Sequence, residues 1–131
     1  IAGGMKLKYL ETILNNSDVS AEVSEEIVRC MKQVDEKLKQ LKIEFSDENA
    51  EMVFTNHLVA LTKRILSKEF IPDLDDSLME GVSLQAMQLS EELVKDLFES
   101  HGCEVNKSEL FLVATHIQLY LENRKDGKNN E

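Results

Sequence analysis

Apolar positions recur along this chain at helical intervals, and polar clusters interrupt them at a few places. Leu7, Leu10 and Leu14 mark a first amphipathic helix over residues 5–15, which the run Asn15-Asn16-Ser17-Asp18 ends. From Ser20 to Ile43 the residues Val23, Ile27, Met31, Val34, Leu38 and Leu41 alternate spacings of four and three. That rhythm lays one apolar stripe along a helix of about six turns. Glu22, Glu25 and Glu26 stand near its start and Lys37, Lys39 and Lys42 near its end, the distribution that the helix dipole favours. Ser46 or Asp47 is placed to cap a third helix striped by Phe54, Leu58, Leu61 and Ile65, with Glu48 and Glu51 early and Lys63, Arg64 and Lys68 late.

Pro72 breaks the third pattern, and the acidic stretch Asp73-Leu74-Asp75-Asp76 follows as a solvated loop. Ser77 with Glu80 three residues on resembles a capping box for one short turn of helix before Gly81. A fourth helix is expected over Ser83–Ser100, its buried side formed by Leu89, Leu93, Leu97 and Phe98, with Gly102 as a left-handed terminator and His101 as a partner for the helix end. Asn106 and Glu109 form a second capping box, opening a last helix that runs to about Asn123. Leu110 to Ala114 with Ile117, Leu119, Tyr120 and Leu121 are apolar on nearly every side, so this helix is expected at the centre of a bundle or in a subunit interface. Residues 125–131 read as a polar, disordered tail.

Composition agrees with few turns. The Ile-Ala-Gly-Gly leader at 1–4 has the look of an expression scar, and between Met5 and Asp126 only Gly81, Gly102 and Pro72 remain as strong turn formers. A sandwich or an α/β sheet needs more punctuation, and no glycine-rich loop is left to cradle a phosphate. The expected fold is all-α: about five helices as two antiparallel pairs plus a short connecting helix, with an additional N-terminal helix. The 131 residues suit one domain, and no run approaches a membrane span, which predicts a soluble protein. With 15 basic against 25 acidic residues the net charge is −10, the wrong sign for gripping nucleic acid through phosphates. Cys30 and Cys103 have no zinc-ligand spacing and read as free thiols of a reducing cytoplasm.

Chemistry narrows to histidine. His57 and His116 fall inside the two most apolar helices, where an imidazole needs a polar partner; the plain reading is two satisfied core histidines. The segment Phe54-Thr55-Asn56-His57-Leu58-Val59-Ala60-Leu61-Thr62-Lys63-Arg64 resembles the first histidine motif of the PTS regulation domain, a bacterial all-α module with an Arg seven residues after its His. Glu109-Leu110-Phe111-Leu112-Val113-Ala114-Thr115-His116-Ile117 resembles the second, with a Glu seven residues before a His-Ile pair. The resemblance spans residues 20–124 and leaves the helix within 5–19 outside it.

The resemblance implies a commonly dimeric domain whose histidines accept phosphoryl groups from the phosphocarrier HPr and from sugar-specific enzyme II domains. His57 and His116 would be the acceptors, with Asn56, Arg64 and Glu109 as site neighbours. No cofactor or metal is implied, and the domain is not an enzyme; it would signal to another, unidentified protein through dimer or partner contacts. Asn56 departs from the usual Asp, which removes a carboxylate able to orient the ring. The domain appears once rather than in tandem, and no nucleic-acid module accompanies it, so output is expected through protein contacts. Seven residues are close to two turns, so Arg64 shares a face with His57 and Glu109 with His116; an antiparallel arrangement would bring Arg64 and Glu109 level.

Two other readings compete. A histidine phosphotransfer bundle would want Lys three and Gly four residues after its His, where Ala60 and Leu61 stand. A helical dimerisation or partner-binding module that has lost phosphorylation is the other, and Asn56 is the feature that supports it.

Overall fold

The computed structural model of the chain describes residues 7–45 and 47–129. The leader at 1–4, Ser46 as a candidate cap, and the last two residues lie outside the described residues. The elements are α1 (Leu7–Asn15), α2 (Ala21–Gln40), α3 (Glu48–Ser67), a short 3-10 turn at Asp76–Met79, α4 (Leu84–Glu99) and α5 (Lys107–Asn129). Five α-helices and no strand among the described residues make the chain all-α. It divides into two units, residues 1–68 and 69–131.

In the first unit, Ser20 caps α2 by accepting from the Val23 N–H at 3.2 Å, and Asp47 caps α3 by accepting from the Asn49 N–H at 3.0 Å. Each side chain satisfies a backbone donor that the first helical turn leaves open. The α2 stripe is buried as its spacing requires, with Ile27, Val34 and Leu38 at 0% exposure. Lys42, in the left-handed region at φ 58°, turns the chain after α2, and Ile43 drops into the core behind it. Phe45 on the link lies 4.9 Å, centroid to centroid, from Phe54 of α3. Helices in contact over so short a link run antiparallel. The end of α1 is tied to α3 where the Lys63 ammonium donates to Ser17 Oγ at 3.0 Å, and Leu10 is buried at 5% exposure. Lys68, left-handed at φ 58°, ends α3 before Pro72 is reached.

In the second unit, Ser83 caps α4 by accepting from the Ala86 N–H at 3.1 Å, while its own N–H donates to Gln118 Oε1 at 2.9 Å. The start of α4 therefore lies beside the middle of α5, and the link through Gly102, at φ 73°, joins their other ends: an antiparallel pair. Leu93, Leu97 and Phe98 from α4 and Val113, Ala114 and Ile117 from α5 are buried, and Phe70 reaches within 6.0 Å of the Phe98 ring.

Two expectations need correction. The helix α5 continues to Asn129 rather than stopping near Asn123. The short turn begins at Asp76, its cap position Asp75 makes no side-chain bond, and the Ser77–Glu80 box does not form. Glu51, in the first turn of α3 as its spacing predicts, is buried at 6% exposure.

Candidate functional site

The buried side of α3 is made by Phe54, Leu58, Leu61 and Ile65, with Thr55 and Thr62 among them. Both threonines are satisfied within the helix, Thr55 Oγ1 donating to the Glu51 carbonyl and Thr62 Oγ1 to the Leu58 carbonyl, each at 2.8 Å. Burying that side turns Asn56 and His57 outward. Both are exposed, which overturns the core-histidine reading for His57. The apolar period, not the apolar content of the segment, decides its place. Met52 and Val53 stand on the same outer surface at 40% and 45% exposure, and Arg64, two turns beyond His57, is half-buried. The structure thus brings Asn56, His57 and Arg64 onto one side of one helix.

On α5 the order is reversed, with the acid inside. Glu109 is 1% exposed and Ser108 4% exposed. The Asn106 side chain accepts from the Glu109 N–H at 3.0 Å, so half of the expected capping box exists. The Glu109 carboxylate, however, accepts from the Ile71 N–H at 3.1 Å, and Ser108 Oγ accepts from the Leu74 N–H at 2.9 Å. Lys107 completes a clip by reaching Asp76 at 3.4 Å. Three consecutive residues at the start of α5 therefore hold the segment 71–76, whose backbone lacks helical partners of its own. Ser108 was not legible as a functional residue; only its place in the first turn after a cap hinted at it. His116, two turns along from Glu109, is half-buried next to the buried Ile117. His101 fills the role expected of it, its Nδ1 lying 2.7 Å from the Leu97 carbonyl near the end of α4.

Of the two thiols, Cys30 is buried and Cys103 half-buried, and neither is in a disulfide. Burial pushes the Cys30 thiol up to about 11, the nearby Glu26 carboxylate adds to the effect and Arg29 opposes it. This is an inert thiol rather than a nucleophile. No helix among the described residues is long and apolar enough to cross a membrane.

Comparison with known proteins gives the arrangement its relatives. Residues 31–120 match the PRD domain, a span that includes both His57 and His116 and leaves α1 outside. No curated protein matches the chain in sequence. Among solved structures, a PRD-containing transcription regulator from Lactobacillus casei ATCC 334 is similar with a TM-score of 0.65 and 19% identity, covering 90% of this chain and 96% of the other. At that identity the likeness concerns the fold. The sequence match extends over more than half of the chain, and on that ground the chain belongs to the PRD domain family.

Proposed function

We propose that the chain is a phosphorylation-responsive regulatory domain of the bacterial sugar phosphotransferase system, accepting phosphoryl groups on His57 and His116 and signalling through dimer or partner contacts. The observation that carries this reading is His57 itself: an exposed imidazole inside a family-matched segment, with Arg64 two turns away on the same side. Neutral imidazole is nucleophilic and titrates near neutral pH. As its nitrogen bonds to phosphorus, the bond from phosphorus to the donor breaks, so the group passes without a cofactor. The donors under this reading are HPr and enzyme II domains, and the compartment is the cytoplasm.

The surroundings suggest how the charge would be read. Val53, one turn before His57 on the same side of α3, gives it an exposed apolar neighbour, and a phosphoryl group adds about −1.5 to −2 charges if it behaves like phosphorylated hydroxyl residues. Such a charge on a mixed apolar surface weakens an apolar contact and creates an acceptor for a guanidinium. The solved relative is a transcription regulator, and this chain, at net charge −10, would serve regulation through a partner protein rather than through nucleic acid.

The test is to incubate the protein with phosphoenolpyruvate, enzyme I, HPr and enzyme II domains and to locate acid-labile phosphoryl groups by mass spectrometry. Label on His57 or His116 is expected. A second reading, a dimerisation or partner-binding module without phosphorylation, draws on Asn56 beside His57 and on the exposed Met52 and Val53; absence of label with all donors present would put it first.

A further inference from the structure

The second unit carries a surface that phosphoryl acceptance does not use. Between Lys68 and Lys95 no basic residue occurs, while seven acids do. The stretch begins with the strap held by the α5 clip, with Asp76 at Lys107, and it meets α5 again where the Ser83 N–H bonds to Gln118. It therefore lies along α5 from its first turn to its middle. Along it Leu78 is 61% and Leu84 74% exposed, and Leu119, the residue after Gln118, is 57% exposed. Asp73, Asp75, Asp76 and Glu80 are exposed on the same stretch.

Single exposed leucines are ordinary, whereas an apolar patch with a polar rim is the usual mark of a protein contact. The rim here has one sign. Of the chain's 25 acidic residues 14 lie beyond Lys68, against five of its 15 basic ones, so the field around the patch attracts cations and repels acidic partners. A second copy of this chain would bring the same acids face to face. We propose that the surface from Asp73 to Leu84, with Leu119 of α5 beside it, docks a basic amphipathic segment of a partner protein, leucine-like side chains meeting Leu78, Leu84 and Leu119 and lysines or arginines meeting the acidic rim. The inference does not depend on phosphorylation of either histidine and is tested on the unphosphorylated chain.

The probe is a helical peptide with a leucine face and a lysine face, compared with one in which serine replaces every leucine. Fluorescence anisotropy is expected to show binding of the first, and amide shifts in the nuclear magnetic resonance spectrum are expected to cluster at 73–84 and around Leu119. The double variant Leu84→Ser/Leu119→Ser should weaken binding by about tenfold, since each leucine loses part of its burial. The triple variant Asp73→Asn/Asp75→Asn/Glu80→Gln should weaken it similarly and flatten its dependence on salt. Circular dichroism checks that the variants keep their helices, as side chains this exposed should permit. Equal binding of the serine peptide, unchanged affinity in both variants, shifts centred elsewhere, or concentration-dependent self-association lost in the leucine variant would each overturn the proposal.

Discussion

Phe54 is fully buried and touches the Phe45 ring, so Phe54→Ala removes a large side chain from a site with no solvent to fill it. A loss of about 3–5 kcal/mol is expected in urea unfolding. Cys30 supplies a pH prediction. Its folded thiol is raised above the ordinary 9.0 to about 11, so the folded state holds the proton more tightly than the unfolded chain does. The associated stability is present below pH 9 and is lost as pH rises through about 11. The melting temperature of Cys30→Ala should therefore fall less than that of the unaltered protein between those limits. With a maleimide near neutral pH, Cys103 is expected to react first and Cys30 only as the protein opens, as peptide mapping of the adduct would show. The stripes of α2 and α3 made Ile27, Phe54 and Leu58 legible as core, because burial follows the helical period. The raised thiol was not legible, since it comes from what surrounds Cys30.

At the scale of elements, caps and clips set where helices begin and how the strap is held. Ser20→Ala and Ser83→Ala each remove an N-cap acceptor and should cost about 0.5–2 kcal/mol. Glu109 matters in a different way. Glu109→Ala leaves the Ile71 N–H without its acceptor inside the protein, a loss of about 1–3 kcal/mol, whereas Glu109→Gln keeps a side-chain oxygen and should recover much of it. Amide hydrogen exchange at Ile71 is the direct readout: faster in the alanine variant, close to normal in the glutamine one. The Asn106 cap could be read from spacing, because a cap is local. The partner of the Glu109 carboxylate could not, because it lies 38 residues away in sequence. The Ser77–Glu80 box does not form because the turn already starts at Asp76, which leaves Ser77 inside it rather than at its cap.

For the whole molecule, charge is unevenly divided, with the acidic excess concentrated beyond Lys68 and the exposed His57 on the less charged part. Under the proposed function, His57→Asp mimics part of the phosphoryl charge beside the exposed Val53. Light scattering should show a changed oligomeric state relative to His57→Ala; identical behaviour of the two variants would count against charge as the signal. The sequence by itself determined that the chain is all-α, where its helices lie, which stripe α2 and α3 bury, and, through two histidine motifs, its family. These follow from periodicity and local capping, which act within a few residues. Only the tertiary structure decided that His57 faces outward while Glu109 is buried, that Glu109 serves a backbone N–H, and that the strap leaves Leu78 and Leu84 open. Those outcomes depend on which surfaces meet once the helices pack, and residues far apart in sequence set them together.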